Sequence, residues 1–348
     1  MSSPQSKSAA FVVFILGVVV VSAALGDPRP IAGLVGQNTL TPPQRDQIRT
    51  YAEFYCDQFT TGEIRAVERA KRQLLDPMRA PMVTGEFRSV YSKVLTPGLA
   101  AVIDGDNPHA AVNAMQLLGF LGTPAALDVL KDHIDSKDED CFEIRLWAAK
   151  AFRMAAEAGR LNADDLNPLL RQLGVACRSE TDPPVLRRQF EAIASVDSSV
   201  ARDVLLGAVG KKLDKLQEQT EPSRLMEAIY PALLRLRDQY LNPRLTAADQ
   251  KVFGKDVAHL LCKVFEVALA HWDKIQFDEQ TRTEIGRSYR GAIRVAESFL
   301  KTIDRTVRAA EPPRTQLGAA WENADKPQFE AGHQDWHAVL TGPPYNQR

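Results

Sequence analysis

Two apolar helices follow each other directly in this chain, and together they restrict the fold more than any other segment. The first covers residues 106–122, where Asp106 or Asn107 can cap a helix that has Pro108 at its first position. The second covers residues 123–134 and follows with no linker. A hairpin of two such apolar helices needs neighbours to bury its core, as one unit of an α-solenoid does. The segment therefore predicts stacked helix pairs.

The same helix register recurs twice further along the chain. Ala110, Ile144 and Val185 occupy the same place in three first helices, at spacings of 34 and 41 residues. The positions that align after them are Ala114-Met115, Ala148-Ala149 and Gln189-Phe190, and then Leu118, Phe152 and Ile193. Spacings of this size are typical of stacked helical repeats, and small residues let two helices approach closely where they cross.

This pattern resembles the HEAT family, whose first helix follows roughly Asp-Pro-x-Val-Arg-x-x-Ala-Ala-x-Ala-Leu-Gly-x-Leu-Gly. The matching residues are Pro108, Ala114, Leu118, Gly119, Leu121 and Gly122 in the first copy, Ile144, Arg145, Ala148, Ala149 and Ala151 in the second, and Asp182, Pro183 and Val185 in the third. The third copy departs from the pattern at Gln189-Phe190, where the family has small residues. The resemblance covers residues 104–215 and implies a HEAT-like α-solenoid; it implies no particular activity.

Helical periodicity extends over nearly all of the chain after residue 40, without a clear alternating strand. We therefore expect an all-α fold: a short solenoid of antiparallel helix pairs with helical flanks. The predicted parts are an N-terminal helical cap (41–103), the repeats (104–215), a C-terminal helical region (221–305) and a Pro-rich extended tail with aromatic anchors (306–348). Within the cap, Pro77 is expected to end one helix and Pro97 to begin another.

The N-terminal segment predicts export. Residues 9–25 carry no charge, Lys7 precedes them, and small residues lead up to Gly26. That order is typical of a secretory signal peptide over residues 1–26. An uncleaved membrane anchor through residues 9–25 is the alternative, although the apolar run is at the short end for crossing a bilayer. The predicted location is periplasmic or extracellular, with membrane contact only if the segment is retained.

Export makes disulfide bonds possible. The chain has four cysteines, and their spacing fits neither a zinc ribbon nor a CxxC redox site. Cys141 comes just before one helix and Cys177 ends the next, so an antiparallel hairpin would bring them to the same end. A bridge between them would contribute about 4 kcal/mol in the chain-entropy model. Four buried free thiols are the equally weighted alternative.

Charge and motifs exclude several classes of function. The chain has 44 acidic and 43 basic residues, so it lacks the excess of basic residues that is typical of a nucleic-acid-binding protein. No phosphate loop, dinucleotide glycine motif or nucleophile elbow is present in the sequence. His333 and His337 are spaced to share a metal on a helix, but Gln334 stands where a zinc peptidase needs its glutamate. A solvated pair is therefore the favoured interpretation, and no metal or cofactor is predicted.

The sequence thus predicts an exported, non-catalytic protein that binds or scaffolds another protein or a peptide on a curved solenoid surface. Candidate contact residues are Arg145, Trp147, Arg187 and Arg188, near the first-helix ends; Trp147 fits the core equally well. Two alternatives stay open. One is an extracytoplasmic enzyme or small-ligand-binding protein on a HEAT-like scaffold, and the other is a membrane-tethered structural spacer.

Overall fold

The computed structural model describes residues 27–346, and this part of the chain is all helical. Helices make up 75% of it, and the described residues contain no β-strand. After a short 3₁₀ helix at Ala32–Leu34, the α-helices are α1 (Pro42–Thr60), α2 (Ile64–Arg79), α3 (Gly85–Ile103), α4 (Pro108–Leu121), α5 (Pro124–Asp132), α6 (Phe142–Glu157), α7 (Ala163–Ser179), α8 (Pro183–Ala194), α9 (Ser199–Glu218), α10 (Met226–Tyr240), α11 (Ala247–Ala270), α12 (Trp272–Phe277), α13 (Glu279–Glu284), α14 (Gly286–Val307), α15 (Leu317–Glu322) and α16 (Lys326–Thr341).

Local chemistry explains the hairpin of α4 and α5. The Asn107 side chain accepts a hydrogen bond from the Ala110 amide at 3.1 Å, and Pro108 occupies the first turn, where no amide is needed. Gly122 ends α4 in a left-handed conformation with φ of 54°, which favours glycine because other residues meet steric strain there. Thr123 then caps α5 through the Ala126 amide. The turn therefore needs no extra residues.

The helices pack in two rows of neighbours. In one row α2, α4, α6, α8, α10 and α14 each pack on the next, and in the other α3, α5, α7, α9, α11 and α16 do the same. Helix α1 packs on α2 and α3. The buried apolar side chains between the rows form a single connected core from Ile31 to Tyr345.

The contact between α4 and α6 is unusually close because its residues are small. A Cβ atom placed on Gly119 would lie 2.9 Å from both the Cα and the carbonyl oxygen of Ala151, which is closer than real Cβ atoms come to other atoms. Ala114, Ala148 and Ala149 in the same two helices are fully buried. Gly119 and Ala151, two of the small residues that match the HEAT-like pattern, therefore lie where the two helix backbones meet.

Pro77 and Pro97 lie inside helices, contrary to the sequence prediction. Pro97 does not begin a helix, because α3 is continuous from Gly85 to Ile103, and Pro77 lies within α2 rather than ending it. A proline in a helix interior removes a backbone hydrogen bond and costs about 3 kcal/mol. Leu95 and Leu99, on either side of Pro97, are both buried, and their packing offsets that cost.

The C-terminal segment is helical, where the sequence predicts an extended tail. Helices α15 and α16 form after Leu317, and α16 packs on both α11 and α15. Phe329 and Trp336 are fully buried, and the Trp336 indole donates a hydrogen bond to Thr315 at 3.0 Å. Prolines separate this segment into pieces, but its apolar residues belong to the common core, and that burial stabilises helices there.

Segment 1–26, for which a signal peptide or anchor is predicted, lies outside the described residues. Among the helices of residues 27–346, none combines the length and the apolar character that crossing a membrane requires.

Candidate functional site

Arg145 is not a surface contact residue, contrary to the sequence prediction. It is 7% exposed, and its Nε and Nη2 atoms donate to the two carboxylate oxygens of Glu180 at 2.9 and 3.2 Å. Its Nη1 atom donates to the carbonyl oxygens of Glu139 and Asp140 at 2.8 and 2.9 Å. All three nitrogens of the guanidinium donate hydrogen bonds within the protein, and these bonds connect the loop before α6 to the end of α7.

Trp147 lies half-buried on α6 and packs against the core. The Lys150 ammonium is 3.5 Å from the centre of its ring, a cation–π contact on the helix surface. Only part of the indole is therefore open to a partner.

Arg187 and Arg188 reach the surface of α8, as the sequence predicts. Arg187 is half-exposed and donates from Nε to Glu191 at 3.0 Å, while Arg188 pairs with the other oxygen of the same carboxylate. Arg153 of α6 approaches that carboxylate to 3.5 Å. Burial would raise the pKa of Glu191, but hydrogen bonds from Arg188 and Arg187 outweigh that effect and lower it. Arg153 also pairs with Glu157 at 2.7 Å, so three guanidiniums share two carboxylates and one positive charge is left over.

A row of clefts extends from these arginines along the side of α8, α10 and α14. The first cleft, about 200 Å³, lies between α6 and α8 beside Leu146 and Pro183. The second, about 500 Å³, shares Arg187 and Glu227 with the first. The third, about 310 Å³, shares Thr283 and Arg287 with the second. Because neighbouring clefts have lining residues in common, the three clefts lie side by side and together form a segmented groove.

We call this groove the arginine face, defined by Arg187, Arg188, Arg282, Arg287 and Arg290. Its carboxylates are Glu227, Glu284 and Glu322. Arg282 and Arg287 are exposed, and within residues 27–346 neither has a carboxylate at ion-pair distance. Tyr230, Pro231 and Leu234 supply an apolar patch in the middle cleft. The face therefore presents two unpaired guanidiniums, Arg282 and Arg287, on one side of an aromatic and aliphatic floor, and the ion-paired Arg187 and Arg188 on the other.

A second pocket lies between α3, the start of α5 and the turn after α6, and we call it the α3–α5 pocket. It measures about 780 Å³, and its lining combines basic residues (Arg88, Lys93, Arg160), hydroxyl residues (Ser89, Ser92, Thr96, Thr123) and apolar ones (Val83, Pro97, Pro124, Ala125, Leu161). The Nη1 atom of Arg88 is buried there without a hydrogen-bond partner among the described residues. Burial, and then the charge of Arg160, lower the pKa of Arg88. No sequence motif marks this pocket, because its residues come from segments far apart in the chain.

His333 and His337 lie one turn apart on α16 and have different surroundings. Their ring centres are 6.4 Å apart, and His337 is exposed while His333 turns inwards. His333 instead meets two residues of α11, Cys262 and Glu266, and one ligand atom of each of the three lies within 4.8 Å of the others. No sequence pattern indicates this cluster, because α11 and α16 are far apart in the chain and no local spacing connects them.

All four cysteines are free thiols in the structure, without the predicted Cys141–Cys177 bridge. Three of them are buried, as the alternative of four buried thiols expects, but Cys141 is partly exposed. Cys177 is fully buried, whereas the Cys141 thiol donates a hydrogen bond to the Glu143 carboxylate at 3.2 Å. The two sulfurs therefore have separate surroundings, one in the core and one beside a surface carboxylate.

Comparison with known proteins gives no relative for this chain: neither the models of known protein families nor the curated proteins contain a match. The HEAT-like resemblance of residues 104–215 therefore stays a prediction.

Proposed function

We propose that this chain is a non-catalytic, protein-binding α-solenoid that holds an extended acidic segment of another protein on the arginine face. The observation that carries the proposal is the adjacency of three clefts between Leu146 and Trp321: the first and second share Arg187 and Glu227, and the second and third share Thr283 and Arg287. A groove that crosses several helices suits an extended peptide better than a compact small molecule, because a peptide can occupy successive clefts.

The packing supports a solenoid as the scaffold for this groove. Each helix of a row packs on the next one in the same row, from α2 to α14 and from α3 to α16. The close contact at Gly119 and Ala151 has the small residues that the HEAT-like register of residues 104–215 requires. A rigid array of this kind would fix the spacing of the clefts, so the groove needs little rearrangement when a partner binds.

The chemistry of the arginine face supports an acidic partner. A guanidinium donates two parallel hydrogen bonds to a carboxylate, and Arg282 and Arg287 have no ion-pair partner among the described residues. Tyr230 adds an amphipathic ring, and arginine and tyrosine are enriched where binding energy concentrates in protein interfaces. Because Glu227 and Glu284 interrupt the basic residues, the face would prefer spaced carboxylates to a uniform polyanion.

A binding assay on defined peptides tests this function. The full chain would be applied to an array of ten-residue peptides that combine aspartate or glutamate with aromatic residues at varied spacing, beside arrays of neutral and basic peptides. The decisive variant is the double charge reversal Arg187→Glu and Arg287→Glu, which should lower the affinity for the acidic peptides by about tenfold or more. Arg65→Glu with Lys251→Glu changes the net charge equally at exposed positions away from the face and should leave binding unchanged. Equal losses in both variants, or no preference for acidic peptides, would contradict the proposal.

The predicted location belongs to the same proposal. Residues 1–26 would direct the chain out of the cytoplasm and be cleaved, so that the solenoid acts in the periplasm or outside the cell. Retention of the segment would instead make the chain a tethered spacer. Mass spectrometry of the mature N-terminus distinguishes the two, because a cleaved chain begins near Asp27.

The α3–α5 pocket supports a second candidate function, the binding of a small organic anion. A buried guanidinium nitrogen without a partner is costly, and an anionic group in the pocket would supply the missing acceptor at Arg88. The apolar side chains that line the pocket would pack against the aliphatic part of such an anion. Thermal-shift titration with octanoate should then stabilise the wild-type chain and leave Arg88→Met unaffected. Equal shifts in the two proteins would exclude the pocket as the binding site.

A further inference from the structure

A cluster of cysteine, glutamate and histidine side chains joins the C-terminal helix to the body of the protein. Cys262 and Glu266 are four residues apart on α11, so they lie on one face of that helix. His333 of α16 faces them, and the sulfur, a carboxylate oxygen and a ring nitrogen all lie within 4.8 Å of one another. The cluster lies outside the arginine face and the α3–α5 pocket, so neither proposed binding function uses it.

The histidine lacks the hydrogen bond that its burial requires. The Nε2 atom of His333 is buried and has no partner among the described residues. Buried polar atoms in proteins are nearly always satisfied, so an exception calls for a missing group. A ring nitrogen of His333 lies within 4.8 Å of the Cys262 sulfur and of a Glu266 carboxylate oxygen. Cys262 is fully buried beside it.

We propose that Cys262, Glu266 and His333 bind a zinc ion that ties α16 to α11. Thiolate, imidazole and carboxylate are the three ligand types that zinc uses in proteins, and calcium or magnesium would require an all-oxygen set. Zinc bonds of about 2.0–2.3 Å place ligand atoms about 3.3–3.8 Å apart, so side-chain rotations of roughly 1 Å close the site. A water molecule completes the tetrahedron. On binding, the Cys262 sulfur forms its bond to zinc and releases its proton to solvent, and no oxidation or reduction takes place.

The proposed zinc explains how a proline-punctuated segment is held in place. Pro312 and Pro313 lie between α14 and α15, and Pro327 lies in the first turn of α16. The stretch between α14 and α16 therefore holds one short helix, α15, and little regular structure of its own fixes its position. One metal bond to α16 and two to α11 would join α16, which follows this stretch, to the core. The ion would therefore stabilise the C-terminal region in addition to its apolar contacts at Phe329 and Trp336.

Cobalt titration of the metal-free full chain tests the site, with Co²⁺ as the probe. A cysteine ligand gives a thiolate-to-cobalt charge-transfer band, and a tetrahedral site gives intense visible bands; both should appear with one equivalent and vanish when Zn²⁺ is added. Cys262→Ala should abolish the charge-transfer band. Glu266→Gln and His333→Gln should weaken cobalt binding by about tenfold or more, because each removes a direct ligand.

Matched controls keep the outcome decisive. His337→Gln changes the neighbouring exposed histidine of α16, and Cys141→Ser changes the most accessible thiol; both should bind cobalt as the wild type does. Zn²⁺ should raise the melting temperature of the wild type and of these controls but not that of His333→Gln. If Cys262→Ala fails to fold, the cobalt affinities of Glu266→Gln and His333→Gln test the site instead. Both residues are only partly buried, so we expect these two variants to fold. The absence of a charge-transfer band, or its loss in Cys141→Ser, would overturn the proposal.

Discussion

At the scale of single residues, we expect the buried ion pair between Arg145 and Glu180 to contribute strongly to the stability of the protein. Arg145→Ala leaves the Glu180 carboxylate without its guanidinium, and the Glu180 side chain is fully shielded from water. Loss of one partner of a buried pair costs about 3–5 kcal/mol, because the remaining charge is uncompensated. Arg187→Ala is the matched control: its ion pair is half-exposed and contributes about 0–1 kcal/mol. Urea unfolding of the two variants measures the difference, and similar losses would show that the Arg145 pair is not structural.

Lys212 predicts a pH dependence of stability. Its ammonium donates to the carbonyl oxygens of Arg178 and Glu180, and burial lowers its pKa to about 8. In the unfolded chain the lysine holds its proton up to about pH 10.4. Between pH 8 and 10 the unfolded state therefore binds more protons, so this lysine makes the folded state relatively more stable as the pH rises.

The comparison with Lys212→Met isolates that contribution from other groups that titrate in the same range. The difference in unfolding free energy between wild type and variant should move in favour of the wild type by on the order of 2 kcal/mol from pH 8 to pH 10. Urea unfolding at several pH values gives this difference directly. A constant difference would mean that Lys212 titrates normally in the folded protein.

At the scale of helices, we expect substitution by alanine to lower the stability of the protein at Gly119 and to raise it at Gly207. Gly119→Ala places a methyl group 2.9 Å from the Ala151 backbone, so α4 and α6 must separate, which costs about 1–3 kcal/mol. Gly207 lies inside α9 with nothing within 4 Å of a Cβ atom, so Gly207→Ala should stabilise the protein by about 0.5–1 kcal/mol. Melting temperatures of the two variants test the pair. A neutral Gly119→Ala would show that the helices are not in tight contact there.

Helices were predictable where their signals are local. The start of α4 is marked by Asn107 and Pro108 and its end by Gly122, and each of these acts within one turn of its own position. The interior prolines were not predictable, because the packing of Leu95 and Leu99 that stabilises α3 around Pro97 comes from other helices. The helicity of residues 317–341 has the same origin, since Trp336 is buried by contacts that sequence patterns do not contain.

The candidate sites show the same division between local and distant signals. The exposure of Arg187 and Arg188 follows from the polar face of α8, which is a local pattern. The burial of Arg145 depends on Glu180, 35 residues away in the chain, and the cluster of Cys262 with His333 joins two helices separated by α12 to α15. Contacts of this kind exist only after the helices stack.

At the scale of the whole molecule, the row-by-row packing predicts that a destabilising substitution at one end lowers the stability mainly of the helices at that end. In a solenoid each unit contacts its neighbours, so stability is approximately a sum of local terms and openings are sub-global. Leu74 of α2 and Leu300 of α14 are both fully buried, at opposite ends of the row that runs from α2 to α14. Substitution of either leucine by alanine removes the same amount of apolar surface, at a cost of about 2–5 kcal/mol.

Hydrogen exchange read by mass spectrometry distinguishes a solenoid from a single cooperative globule. Leu74→Ala should lower amide protection most in α1 to α5 and least in α14 to α16, and Leu300→Ala should show the reverse order. In a globule, both variants would lower protection by the same amount in every core helix, because the most protected amides exchange through the same global unfolding. The order in which the helices lose protection, rather than the size of the loss, decides between a solenoid and a globule. If this order is found, the arginine face is supported by units of independent stability, and a partner that crosses several of them should raise protection along the whole groove.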